Sequence, residues 1–320
     1  TGTVPWPEPL RSSLDDVDRA VIDELGPHAF GAPPDGSWAT SRSEALRRLD
    51  DFFEHRLPEF GPHQDAMVSE SWSMRHSLLS PYLNLGLLSP DEVCDAVEVA
   101  YRDGRVPIAS AEGFIRQVIG WREYVNGVYW LWMPGYRELN ALEADRPVPP
   151  VLHGSETHMA CVRVAMESVH DHAYAHHIQR LMVLANLALL AGIDPQEMTD
   201  WMRRSFIDGG DWVMQPNVLG MGLFADGGRM ATKPYAAGGN YLDRMSTHCG
   251  DCRYDPKQRT GPDACPFTTL YWDFLDRNQE RLSGNRRIQR QLGGARNLSD
   301  MPEVRTRAAE VLRLLDEGGL

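Results

Sequence analysis

The sequence holds no apolar run near the roughly 20 residues that a membrane-spanning helix requires, so no membrane association is expected. Few of its segments alternate β-branched and polar residues, and a β-sheet is not expected to organise the chain. No Gly-x-Gly-x-x-Gly sits between a strand and a helix, and no Gly-Lys-Ser/Thr loop of the Walker type occurs. Dinucleotide binding of the Rossmann kind is therefore not supported, and a bound nucleotide would rest on helix N-termini and loops. Internal repeats and low-complexity tails are missing as well. The start, Thr1-Gly-Thr-Val-Pro-Trp-Pro7, has neither an initiator Met nor a basic-then-apolar leader. It reads as a linker, so the chain is expected to begin inside a longer parent protein working in the cytoplasm, as a monomer. Five cysteines are an odd number, and without a leader a secreted disulfide framework is not expected. The net charge of −13 argues against a general nucleic-acid coat, yet leaves room for a local basic cleft.

What is present is helix. Ser41 and Glu44 make a capping-box pair ahead of Ala45, Leu46, Leu49, Phe52, Phe53 and Leu57, an amphipathic helix closed by Pro58. Ser89-Pro90-Asp91-Glu92 supplies the cap, the first-turn proline and the reciprocal Glu for a second helix, running to about Arg102. Glu112 to Met133 is long and aromatic, and Pro134-Gly135 stops it. Ser155 is expected to cap a helix through Val169. From Tyr174 a helical pattern puts Ile178, Leu181, Met182, Ala185 and Leu189 on one face, with Gly192 as its stop. Asp194-Pro195-Gln196-Glu197 repeats the capping device. The Gly-rich stretch 208–240 reads as loop and short turns, and Asp273 to Arg281 and Glu303 to Leu315 as further helices. The expectation is an all-α protein, with a linker and the start of the helical region over 1–40 and a helical domain over 41–320.

Three stretches carry chemistry. Histidines 170, 172, 176 and 177 cluster at the opening of the helix that begins at Tyr174. On a helix, adjacent His176 and His177 point about 100° apart, so one can face a cofactor and the other a substrate. Solvated loop histidines plus one core histidine would give the same pattern. Cys249-Gly-Asp-Cys252 followed by Cys265-Pro266 lets two thiolates converge on one metal or cluster edge, with a third from a loop. Cys161 and Cys94 are the candidates for a fourth ligand, and Cys94, inside an amphipathic helix, reads rather as a buried apolar residue. Spacing alone leaves an iron–sulfur cluster and a four-cysteine zinc site both open. Ser77 and Ser80 are placed either to cap helices or to donate hydrogen bonds to a phosphate.

Taken together, these residues carry a resemblance. His76-Ser77-Leu-Leu-Ser80-Pro-Tyr-Leu-x-x-Gly-x-Leu-Ser-Pro90 resembles the flavin-phosphate segment of the photolyase/cryptochrome superfamily. Phe114-Ile-Arg-Gln-Val-Ile-Gly-Trp-Arg-Glu-Tyr124 resembles its flavin-side helix, and Ala175-His-His-Ile-Gln-Arg180 its His-His-x-x-Arg stretch. With the cysteines, Asn240-Tyr-Leu-Asp-Arg-Met245 and Cys252-Arg-Tyr-Asp-Pro-Lys257, the chain is similar to the iron–sulfur bacterial cryptochromes and photolyases from about Leu14 onward. The resemblance implies a helical domain holding FAD, and a [4Fe–4S] cluster on Cys161, Cys249, Cys252 and Cys265. It implies light-driven repair of (6-4) pyrimidine lesions in damaged DNA, with His177 as proton donor and His176 in the same pocket. Ser77 and Ser80 would hold the FAD phosphates, and Gln117, Arg122, Arg180, Asp208, Met214 and Asn217 would line the flavin. Trp201 matches the proximal tryptophan of flavin photoreduction, while Tyr235 and Tyr241 match aromatic positions near lesion and cluster. From Arg277 to Asn297, six arginines including Arg286 and Arg287 face only Glu280, as DNA phosphate contacts require.

The chain also departs from that pattern. Met214 stands where the resemblance implies a Glu beside the flavin, and a thioether relays no proton. Met202 and His153 stand where some members carry aromatic residues of the electron-transfer chain. The amino-terminal α/β antenna domain of the family is absent from this sequence. A blue-light photoreceptor without repair activity is therefore the second expectation, and a flavin and iron–sulfur redox enzyme the third.

Overall fold

The computed structural model describes residues 5–26 and 30–320. The first four residues of the linker-like opening lie outside the described residues. All named elements are helical, and among the described residues the only β-type pairs are three isolated bridges. The protein is all-α, as expected.

Local chemistry explains most helix starts. Ser41 accepts from the Glu44 amide and caps Arg42–His55. Ser89 and Glu92 form a complete capping box on Pro90–Arg102, and Asp194 caps Pro195–Ser205 through two backbone amides. These side chains satisfy amide N–H groups that a helix start leaves without partners. Residues 1–40 are not uniformly extended, because Asp15 caps a helix over Asp16–Leu25 that buries no side chain. Three buried arginines tie the amino-terminal segment to the helices. Arg48 donates to the Gly36 carbonyl, Arg56 to that of Pro7, and Arg75 to that of Pro5.

The helix placed over Asp273 to Arg281 runs instead over Pro266–Arg277, with Pro266 in its first turn, and three further expectations need correction. The helix placed from Ser155 starts at Ala160 and runs to His172, because left-handed Gly154 turns the chain first. The helix placed from Tyr174 starts at His177, since Ala173 ends the preceding helix in the left-handed region. Within 208–240, Asp211–Met214 and Gln215–Gly222 form one continuous helical segment rather than loop. Its glycines serve close packing instead of turning: a Cβ on Gly222 would stand 2.9 Å from that of Ala185.

The apolar residues gather in two main cores. One draws on Ala39 to Val118, and the other on Met67 and then Val125 to Leu320. The segment from Ile178 to Ala191 is buried all round and runs through the second core. That makes it a central helix rather than an amphipathic surface one. Helical geometry loosens to π turns at Arg116–Arg122, Gln179–Ala185 and Gln215–Gly222. Such turns carry i→i+5 bonds and gather at functional sites.

Candidate active site

A deep cleft opens at the seam between the two cores, with about 1470 Å³ of empty space including its open mouth. Phe60, Phe114 and Val118 come from one core, and Leu181, Ala185, Met202, Met214 and Met221 from the other. All three π turns supply wall residues: Gln117 and Arg122, Arg180 and Leu181, Asn217 and Val218. The widened turn changes which side chains face inward, and this helps to build a concave site on helices.

One wall is polar and held rigidly. Arg180 grips Asp208 with two nitrogens at 2.8 and 3.2 Å, and the Ser80 hydroxyl donates to the same carboxylate at 2.6 Å. Asn84 donates to the Asp208 carbonyl, which ties the loop to the helix Ser80–Asn84. Arg180 also lies over the rings of Tyr174 and Phe206. Leu78 lies in the left-handed region (φ 58°), a strained state for a branched side chain, and so offsets Ser77 from Ser80. Arg122 pairs with Glu123 at 2.6 Å and covers Trp212, while its Nε is buried without a partner.

The histidines are divided. His177 lines the cleft and is exposed to it. Enclosure by protein, and then the charge of Arg180, hold its pKa below the ordinary 6.5. His176 points the other way, 1% exposed, and stacks on His76 at 4.4 Å and 12°. Its two ring nitrogens and His76 Nε2 are buried without partners. Burial, and then neighbouring positive groups, push His76 down to about 3 and His176 well below 6.5. Between these values the unfolded chain binds protons that the folded one refuses. Stability of the ligand-free protein is thus complete above 6.5 and falls as pH drops toward 3. Urea midpoints at pH 7 and pH 5 check this, and equal midpoints would contradict it.

A second, small cavity of about 300 Å³ is lined by Cys161, Cys249, Cys252 and Cys265, with His248, Tyr254 and Phe267. Cys161 sits in the first turn of Ala160–His172, and Cys265 immediately precedes Pro266–Arg277. Gly239 fits against them only because it lacks a side chain, as a Cβ there would stand 2.8 Å from Cys265 Sγ. Burial, and then the neighbouring thiols, raise Cys161 far above its usual value and Cys249 to about 12. No three His, Cys, Asp or Glu side chains among the described residues stand close enough together to grip one metal ion. Cys94 lies in the other core, as expected of an apolar residue.

No family model matches the chain. A (6-4) photolyase of Agrobacterium fabrum is 47% identical over 307 residues, which is 94% of this chain and 61% of that protein. The chain belongs to the photolyase/cryptochrome superfamily. It thus spans about three-fifths of the length of that photolyase. An uncharacterized protein of Acanthamoeba polyphaga mimivirus is 35% identical over 107 residues, 33% of this chain and 80% of that one. The helical fold also matches a bacterial class III photolyase from Agrobacterium tumefaciens, with a TM-score of 0.57 and 19% identity. That match covers 88% of this chain and 57% of that one.

In this superfamily member, Ser77, Ser80, Gln117, Arg122, Arg180, Asp208, Met214 and Asn217 all line the one cleft. His176 and Trp201 do not. His176 precedes the helix and turns into the core, and Trp201 is buried with its Nε1–H donated to the Leu152 carbonyl. Met202 takes the place on the wall. Tyr235 and Tyr241 are half-buried outside the cleft, and Tyr241 lies next to Leu242, which lines the cysteine cavity. Arg286 and Arg287 are exposed. Two other arginines of that run are engaged structurally: Arg277 pairs with Asp273, and Arg281 with Glu143. Sequence reading missed Trp212, Tyr174 and Asn84 on the wall, because only the fold brings them there.

Proposed function

We propose that this chain is the flavin-binding, catalytic part of a light-driven enzyme that repairs (6-4) pyrimidine photoproducts in DNA. One observation carries the reading. The eight side chains assigned to FAD from sequence, spread from Ser77 to Asn217, line a single cleft with His177 in its wall. The cleft fits such a group, since Arg122 Nε and His76 Nε2 are buried there without partners and one wall is apolar. When bound and reduced, FAD supplies an electron to the lesion on excitation by blue light. The relative named as a (6-4) photolyase supports the choice of lesion.

The protein's share of the work is positioning and proton supply. Ser77 is a hydroxyl donor for the FAD phosphates, Ser80 joins it by turning its proton away from Asp208, and the Arg180–Asp208 pair fixes the wall beside them. His177 donates a proton to the lesion. An imidazole held neutral by enclosure and by Arg180 takes up its proton more readily when the negative charge of bound phosphates enters the cleft, because that charge raises its pKa toward the working pH and so populates the acid form. The lesion must leave the base stack to reach that wall. Exposed Arg286 and Arg287 meet the DNA phosphates. The four cysteines hold a [4Fe–4S] cluster. Thiols lining a cavity, rather than meeting at one point, suit a cluster better than a single zinc ion with its sulfurs at about 2.3 Å.

The test is anaerobic blue-light repair of an oligonucleotide carrying one (6-4) lesion, with the flavin reduced chemically beforehand. Restored pyrimidines support the reading. A protein with intact FAD and cluster that leaves the lesion in place is instead a photoreceptor. Met214, which cannot relay a proton, and Met202, which stands where an aromatic electron carrier is expected, both line the cleft and favour that second reading.

A further inference from the structure

An aromatic ladder leads from the cleft wall at Tyr174 toward solvent. Tyr174 lines the cleft and is buried. Its ring lies 5.6 Å from Trp38 and 5.8 Å from Trp72, centroid to centroid. The two indoles are 6.1 Å apart, and Trp72 stacks on His172 at 4.0 Å and 18°. Trp38 and Trp72 are only half-buried, so the ladder starts at the cleft wall and ends at solvent. Trp38 is fixed by its Nε1–H, which donates to the His172 carbonyl at 2.9 Å.

The other oxidisable rings are placed less well. Trp201 is off the wall, and its ring neighbour is Phe206 at 6.0 Å, which is hard to oxidise. Trp212 lies 5.0 Å beneath the Arg122 guanidinium, itself paired with Glu123, and among the described residues no second aromatic ring lies against Trp212 to carry a hole outward. Trp121 is 45% exposed, and among the described residues its one aromatic ring neighbour is exposed Tyr124, so a hole there stays beside the cleft. Among the described residues no guanidinium stands over Trp38 or Trp72. Arg180 does lie over Tyr174, but Asp208 neutralises it.

We propose that Tyr174, Trp72 and Trp38 are the electron-supply route to an oxidised, light-excited flavin in the cleft. This rests on the flavin reading above. One electron passes from an indole of the ladder, by way of the Tyr174 ring, to the excited flavin. The flavin gains one electron and the indole becomes a cation radical. That radical sheds its N–H proton to water, most readily at Trp72, whose Nε1–H has no protein acceptor among the described residues. A soluble thiol then returns one electron and one proton to the indole and itself goes on to disulfide.

The experiment uses FAD-loaded protein with oxidised flavin, anaerobic, under blue light with dithiothreitol. Bleaching of the flavin band gives the rate, and transient absorption and electron paramagnetic resonance identify the radical. Trp38→Phe/Trp72→Phe protein is expected to photoreduce its flavin at least about tenfold more slowly, equivalent to roughly 1.4 kcal/mol of barrier. It also loses the long-lived indole radical, and Tyr174→Phe shortens that radical's lifetime. Where the double variant fails to bind FAD, Trp72→Phe alone is read. An unchanged rate and radical in these variants, with loss in Trp201→Phe, Trp121→Phe or Trp212→Phe, overturns the route. Repair with chemically reduced flavin is measured in parallel. The double variant retains it, while its absence from the wild type refutes the repair reading and leaves the radical measurement to decide the ladder.

Discussion

His177→Ala protein is expected to bind FAD and lose (6-4) repair, by about a hundredfold to ten-thousandfold, the range for removal of a general acid. The geometry makes the prediction specific to one of two adjacent histidines. His177 opens its helix with the ring in the cleft, whereas His176 is 1% exposed and stacked on His76. His176→Ala removes that stack and leaves a hole in the core, so its loss is of stability first. The two variants are compared at equal folded, flavin-reduced concentration, with product formation and urea midpoints read side by side. Repair at the wild-type rate in His177→Ala would remove the proton-donor role. Equal loss in both, with both stably folded, would show that the pair acts as a unit.

The second large effect concerns the cysteines. Cys252→Ala is expected to abolish the iron and sulfide content, lower the yield of soluble protein and depress the melting temperature. Cys161 lies on Ala160–His172, while the other three thiols lie on the chain from His248 to Pro266, so a shared cluster closes a loop of nearly a hundred residues. Metal binding of this structural kind is folding free energy, about 10–16 kcal/mol apparent for small zinc domains. The effect here falls on one side of a protein with a large core of its own, so partial folding remains. Without a metal centre, Cys161 and Cys249 are raised, first by burial and then by neighbouring charge including the other thiols. Soluble, FAD-loaded Cys252→Ala protein with the wild-type melting temperature would end the structural role.

Much of this was readable in order along the chain. The caps at Ser41, Ser89 and Asp194 lie within three residues of the amides they satisfy, so sequence alone placed those helix starts. The cysteine spacing and the hydroxyls at Ser77 and Ser80 are local patterns too, and the fold sets each on the wall of a cavity. The eight residues that the resemblance assigns to the flavin are far apart in sequence, and the fold gathers them on one cleft. What failed were inferences about direction. His176 and His177 were read as two faces of one helix, but left-handed Ala173 delays the helix by three residues and turns His176 inward.

The sequence by itself determined that this protein is helical and where its main capped helices begin. Only the tertiary structure decided which of those residues share a wall. It put Trp201 behind Met202, engaged Arg277 and Arg281 in ion pairs, and brought Trp38, Trp72 and Tyr174 together. The reason is range. Capping and helical periodicity act over a few residues and are written in the order of the chain. A cleft at the seam of two cores depends on contacts between residues as far apart as Ser80 and Asp208, and no local pattern encodes such a meeting.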